Sequence, residues 1–317
     1  MLRRVAPILL APLILANAAS NPEAPQPMSS AEIATAIVEM REDPYRRMTV
    51  PVSINGKGPY RFMIDTGAEA TVLSHMLADL HALTDRRNAT LIGMVSARQI
   101  QTAIVPELSF GARPHYDARA ALVEGDNIGG ADGILGLDTL QGRRVLMDFA
   151  NRRLEIVDST DDRSENRGFE IIVRARQVGD QLLITRAKVD GVRTAVVVDT
   201  GAQGSIGNAA LYNRLRRSRE GVESEMTDIN GIQATTSTRI GRSLEFDRAR
   251  IGNFPIAFVE SPTFAALGLE DEPALILGMN ELHLFERVAI DFASRRVLFD
   301  LPDGTRISDR RAASRFE

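Results

Sequence analysis

Two short phrases in this chain combine the residue types needed for acid–base chemistry: Asp65-Thr66-Gly67-Ala68 and Asp199-Thr200-Gly201-Ala202, 134 residues apart. Each follows an apolar run, Met63-Ile64 in one case and Val197-Val198 in the other, so each aspartate stands at the end of a strand that enters a core. A carboxylate in that position is expensive unless hydrogen-bond donors or a partner meet it. The glycine two residues on has no Cβ, so the chain can turn tightly and its N–H groups can approach the carboxylate and an opposing loop. The threonine hydroxyl can bond across an interface between two such loops. If the loops face each other, both carboxylates cannot ionise cheaply and tend to share one proton, so the pair can act as base and acid together.

The elements that would position the aspartates also occur twice. Met48 to Ile54 runs into Asn55-Gly56, and Arg61 to Ile64 follows as a second strand ending at Asp65. Leu182 to Val189 runs into Asp190-Gly191, and Thr194 to Val198 ends at Asp199. Asn-Gly and Asp-Gly between apolar strands mark tight hairpins. Downstream, Ile134-Leu135-Gly136-Leu137 is answered by Ile276-Leu277-Gly278-Met279, and Met147-Asp148-Phe149 by Ile290-Asp291-Phe292. Three landmarks in the same order, with only small insertions between them, indicate an internal duplication of a domain-sized β unit.

The expected organisation is a secretory leader at 1–20, an N-terminal segment with a short helix at 21–45, a first lobe at 46–157, a linker at 158–168, a second lobe at 169–302 and a tail at 303–317. The leader is read from Arg3 and Arg4, the apolar run from Val5 to about Ala16, and Ala16-Asn17-Ala18. That run is short for a bilayer span, so no stable membrane span is expected after cleavage, and the mature chain is expected in the periplasm or the medium. The helix is read from the capping-box spacing of Ser29 and Glu32 and from Ile33, Ile37 and Met40 on one helical face before Pro44.

These motifs resemble those of the pepsin and retropepsin superfamily of aspartic proteases, in particular bacterial retropepsin-like proteins with two tandem units. The resemblance covers roughly residues 46 to 302 and includes Asp132-Gly133-Ile134-Leu135-Gly136 and Leu275-Ile276-Leu277-Gly278. It implies an all-β chain of two retropepsin-like β-barrel lobes in a pepsin-like bilobal arrangement, with the active site between the lobes. Asp65 and Asp199 would be catalytic, and Thr66, Gly67, Ala68, Thr200, Gly201 and Ala202 would support their loops. Ile134, Leu135, Gly136, Ile276, Leu277 and Gly278 would form the strands that thread beside those loops. The implied activity is endopeptidase cleavage by an activated water, with no cofactor and a peptide substrate bound as an extended strand. The alanine after each glycine is closer to the retroviral type than to the pepsin type, which implies a working pH less acidic than that of a stomach protease.

The closing flaps of the family should lie near Leu91 to Ile104 and near Ile229 to Ile240, but each window has one glycine, Gly93 or Gly231, and no tyrosine. A non-catalytic peptide-binding or scaffolding module that keeps the fold is therefore the competing reading. Tandem halves complete the site within one chain, so a monomer is expected, although pairing of like halves between chains would also complete it.

Bulk properties restrict the remaining classes. The 317 residues are 44% apolar and 25% charged, as in a soluble globular protein of about two domains. A formal net charge of −4, with Lys57 and Lys188 the sole lysines, gives no case for nucleic acid. The lack of cysteine excludes disulfides, thiolate metal sites and a cysteine nucleophile. His75, His81, His115 and His283 have no metal-ligand spacing, so no metal is expected. Asp138, Asp148 and Asp291 read as turn residues, and the charged stretch from Arg214 to Glu225 reads as a solvated insertion in the second half.

Overall fold

The computed structural model describes residues 36–39, 41–42, 47–110, 113–159, 168–215 and 219–302. Its eight-stranded sheets are two copies of one pattern. The first runs, in spatial order, Arg41–Glu42, Met48–Ile54, Lys57–Ile64, Gly133–Leu135, Val72–Ser74, Arg113–Val123, Ala97–Phe110 and Arg87–Ile92. The second repeats that order with Arg176–Val178, Gln181–Val189, Val192–Val198, Ala274–Leu277, Ser205–Gly207, Ala249–Phe258, Gln233–Phe246 and Arg219–Thr227. Each sheet curls until Ile54 meets Leu108, or Val189 meets Leu244, which makes each lobe barrel-like. The expected all-β, two-lobed retropepsin-like fold is the one observed.

The inner hairpins form as the dipeptides predict. Asn55 and Gly56 have φ of 49° and 70°, Asp190 and Gly191 of 50° and 83°, the left-handed pair that matches the twist of the flanking strands. Along Lys57–Ile64 exposure gives way to burial over Phe62, Met63 and Ile64, and Val196 to Val198 do the same in the other lobe. Fully burying each such side chain is worth about 1.5–3 kcal/mol, which anchors the strand end from which the aspartate projects.

A six-stranded sheet joins the lobes. At its centre Arg143–Asp148 pairs antiparallel with Arg287–Asp291, with Arg144 opposite Asp291, Leu146 opposite Ala289 and Asp148 opposite Arg287. The first and last of these pairs exchange under the duplication, so the pseudo-twofold axis passes through Leu146 and Ala289. The largest apolar cluster runs continuously from Met48 and Phe62 through Val145 and Ile290 to Phe246 and Phe299. The lobes are therefore fused across one core.

One expected element is different. Ile37, placed by spacing on a helix, lies in the strand Ala36–Glu39, which pairs with Arg153–Asp158 from Ala36 opposite Ile156 to Glu39 opposite Arg153. The β-branched Ile37-Val38 meets the open edge of that strand, and this tertiary pairing outweighs the weak preference of so short a segment for helix. Ser29, Glu32, Ile33 and Met40 lie outside the described residues, as do the leader at 1–20, most of the linker at 158–168 and the tail from residue 303. Among the described residues no helix is long and apolar enough to cross a membrane.

Ala36–Glu39 occupies one edge of the joining sheet and Ile171–Arg174 the other, as duplication requires. A chain beginning at residue 46 would lose that edge strand together with the two-residue strand Arg41–Glu42. Its urea unfolding midpoint should correspond to a loss of about 2–4 kcal/mol, from roughly four backbone hydrogen bonds at about 1 kcal/mol each. It should show no gain of activity, which separates a structural strand from a removable inhibitor.

Candidate active site

Each aspartate is held by the strand threaded beside it. Lys57–Ile64 runs parallel to Gly133–Leu135, and Val192–Val198 runs parallel to Ala274–Leu277. At the strand ends the Asp65 N–H donates to Leu135 O at 3.1 Å and the Asp199 N–H to Leu277 O at 3.0 Å. Gly136 and Gly278 then cross the backbone of the aspartate loop so closely that a Cβ would come 2.5 Å from Ala70 O or Gly204 O. This close approach explains the glycine that ends each apolar triplet. Ile134, Leu135, Ile276 and Leu277 are buried beside it.

The loops face each other. Thr66 Oγ1 donates to Val198 O at 2.8 Å, and Thr200 Oγ1 donates to Ile64 O at 2.8 Å. The Thr66 N–H donates to Thr200 Oγ1 at 3.1 Å, and the Thr200 N–H to Thr66 Oγ1 at 3.2 Å. Two buried hydroxyls thus tie four backbone groups across the lobe interface. Within each loop the N–H groups two and three residues past the aspartate grip the carboxylate: Gly67 and Ala68 to Asp65 Oδ1 at 2.8 and 3.0 Å, Gly201 and Ala202 to Asp199 Oδ1 at 2.8 and 3.1 Å. A methyl group on Gly67 would overlap the Asp199 carboxyl, and one on Gly201 the Asp65 carboxyl. All fourteen residues expected around the site, Asp65 to Ala68, Asp199 to Ala202 and the two apolar-apolar-glycine triplets, are brought together.

The electrostatics follow from this closeness. Burial raises the Asp199 carboxyl well above the usual carboxylate range, and the charge of Asp65 raises it further against the Gly201 and Ala202 N–H groups. Burial also raises Asp65, opposed by the Gly67 N–H, the hydrogen bond with Asp199, the Ala68 N–H and the field of Arg47. Two carboxyls held this close tend to share one proton, because both cannot ionise cheaply.

Several supporting groups were not legible in the sequence. Thr71 Oγ1 donates to Asp138 Oδ1 at 2.9 Å, and in the other lobe Ser205 Oγ donates to Glu281 Oε2 at 2.6 Å. Both acids are raised by burial and brace the segment after the threading glycine. Glu281 lies one place past the strict equivalent of Asp138, which hid the correspondence. Asp148 and Asp291 accept turn N–H groups from Asn151 and Ser294, both at 2.9 Å. The histidines are scattered: His81 bonds Tyr60, His115 stacks on Phe110 beside Arg143, His283 packs on Phe149 and His75 approaches Glu124. Among the described residues no group of three or more His, Asp or Glu is placed to hold a metal.

Both lobes carry a flap. Arg87–Ile92 and Ala97–Phe110 form one hairpin, Arg219–Thr227 and Gln233–Phe246 the other, and the expected windows include both tips. The charged stretch expected as an insertion is in part the outer strand of the second flap; residues 216–218 lie outside the described residues. The tips lock together. Asp228 Oδ2 accepts the Ser96 hydroxyl at 2.6 Å and the Val95 N–H at 3.3 Å, and Asn230 Nδ2 donates to Ser96 Oγ at 2.9 Å and Leu91 O at 3.2 Å. A Cβ at Gly93 would come 2.5 Å from Asp228 Oδ2, which accounts for that glycine. Met94 packs on the second lobe's cluster of Val197, Ile206 and Ile276, and Ile229 on the first lobe's cluster of Met63, Val72 and Ile134. The closure that lacks a tyrosine is thus made by an acid–amide latch and exchanged apolar tips. Asp228→Ala should raise KM for a peptide about tenfold, the equivalent of one charge-assisted hydrogen bond, with a smaller change in kcat.

A two-lobed β fold with paired Asp-Thr-Gly loops at its centre defines the retropepsin-like class. Comparison with known families agrees: the family described as gag-polyprotein putative aspartyl protease matches residues 50–142, and the family described as aspartyl protease matches residues 185–280. No curated protein matches the chain. The chain is a retropepsin-like aspartic protease protein with two tandem units.

Proposed function

We propose that the protein is an aspartic endopeptidase whose Asp65 and Asp199 act as one dyad. The observation that carries this reading is the pair of matched loops, locked by Thr66 and Thr200 so that each glycine abuts the opposite carboxyl. The ionised carboxylate takes a proton from a water held between the two acids, and that water attacks the peptide carbonyl carbon. The protonated acid gives its proton to the carbonyl oxygen, producing a neutral gem-diol. Return of a hydroxyl proton to a carboxylate and delivery of the other acid's proton to nitrogen break the C–N bond, releasing acid and amine. No covalent intermediate and no cofactor are needed.

The substrate lies extended beneath the flaps, where strand edges offer backbone pairing. One chain contributes both loops, so the enzyme works as a monomer. The apolar run from Val5 to about Ala16, read as a secretory leader, supports a place in the periplasm or the medium. The test is cleavage of a diverse peptide library between pH 3 and pH 8, with inhibition by a pepstatin-type compound. An inert but folded wild-type chain across that range overturns the reading in favour of a peptide-binding module.

A further inference from the structure

The peptide group between Gly67 and Ala68 stands against both acids. Its N–H, from Ala68, donates to Asp65 Oδ1 at 3.0 Å, next to the Gly67 N–H at 2.8 Å. Its carbonyl belongs to Gly67, where a Cβ would overlap the Asp199 carboxyl. A peptide group is planar, so the tilt of this single plane sets the aim of the Ala68 N–H and the approach of the loop to Asp199 together.

The plane is held from the other lobe. Gln181 Nε2 donates across the interface to Gly67 O at 2.8 Å. Gln181 is 3% exposed, and its Oε1 has no hydrogen-bond partner among the described residues. An acceptor buried without a donor costs stability, so this amide is poorly accounted for as packing alone. What it contributes is the bond to Gly67. The turn that leads into Gln181–Val189 leans on the first lobe at two further points: a Cβ at Gly179 would lie 3.7 Å from Glu69 Oε1, and Gln141 Nε2 donates to Asp180 O at 3.4 Å. Thr49 faces Met63 and Leu183 faces Val197, so the place equivalent to Gln181 in the first lobe is held by Arg47. The amide is therefore an addition to the duplicated frame and not a part of it.

We propose that Gln181 is a positioning residue for the dyad, which fixes the Gly67–Ala68 peptide plane from the second lobe and so aims the Ala68 N–H at Asp65. A donor on Gly67 O also polarises that amide and makes its N–H the stronger donor, as in other chains of hydrogen bonds. The catalytic meaning of this role rests on the endopeptidase reading, whereas the brace is a property of the folded chain.

The experiment compares the full chain with Gln181→Met, which removes the amide, and Gln181→Asn, which draws it back by one methylene. Two quantities are read: kcat and KM on a cleaved peptide, and the proton NMR shift of the Ala68 amide, which follows the strength of its hydrogen bond. In Gln181→Met kcat should fall about tenfold, part of the roughly 10²-fold that a misplacement of about 1 Å can cost, with KM changed by less than about twofold. The Ala68 amide resonance should move upfield, and Gln181→Asn should move both readings the same way. A kcat within about twofold of wild type, or an unmoved Ala68 amide, overturns the proposal even if the urea midpoint falls, because the brace would then be structural only. If the wild type cleaves nothing, the protease reading fails, while the Ala68 amide still decides whether Gln181 sets the loop. If Gln181→Met does not fold, Gln181→Asn decides by the same two readings.

Discussion

Replacing Asp65 or Asp199 by asparagine should lower peptide cleavage by about a thousandfold or more, because each substitution removes one of the two proton-transfer roles and each such role is worth about 10²–10⁴. Asparagine keeps the shape of the side chain, and its amide oxygen can still accept the N–H groups of Gly67 and Ala68 or of Gly201 and Ala202. The variants should therefore fold and still bind peptide. Stability separates the cases further. The Asp199 carboxyl lies well above its ordinary value of 3.8 in the folded state, so above about pH 4 the folded chain holds a proton that the unfolded chain has released. The contribution is thus most favourable below that pH and is lost as pH rises through the folded-state value. Asp199→Asn should flatten this decline and raise the melting temperature at neutral pH, a gain of stability paired with a loss of turnover. A variant that merely unfolded would lose stability and turnover together.

Thr66→Val and Thr200→Val should each destabilise the fold by about 2–4 kcal/mol, since valine fills the same volume while leaving a buried N–H and a buried C=O unpaired. For Thr66 those groups are the Thr200 N–H and Val198 O, and for Thr200 they are the Thr66 N–H and Ile64 O. The four bonds are reciprocal, so the double variant should depart from the sum of the singles. Urea unfolding followed by far-UV circular dichroism measures this directly, and serine at either position should recover most of the loss. Activity should fall with the valine variants even where the fold persists. The same bonds set the approach of the carboxylates, and a misplacement of about 1 Å can cost about 10²-fold.

The duplicated frame was legible because its signals are local. Asn55-Gly56 and Asp190-Gly191 specify tight turns by their own dihedral preferences, and the apolar runs before Asp65 and Asp199 specify strand ends that enter a core. The glycines at 67, 136, 201 and 278 stand where another chain segment passes too close for a Cβ, so repetition of the motif carried their positions with it.

Elements whose partner is far away in sequence were not legible. Ile37 carries the spacing of a helix, yet the open edge of Arg153–Asp158 draws it into a strand. The Asp228–Ser96 bond spans 132 residues between flap tips, and neither residue stands in a motif that announces it. Glu281 does the work of Asp138 from a position shifted by one, which chain alignment of the halves cannot show.

The sequence by itself determined that this chain holds two related β units, each delivering an aspartate at a glycine turn, because turn chemistry and alternating burial are properties of adjacent residues. Only the tertiary structure decided how those units meet. It set the threonine exchange at the centre, the latch between unlike flaps, and the reach of Gln181 across the lobe interface to Gly67 O. Contacts across a pseudo-twofold axis depend on which side chains two distant segments present to each other, and near-identical motifs leave that difference unwritten.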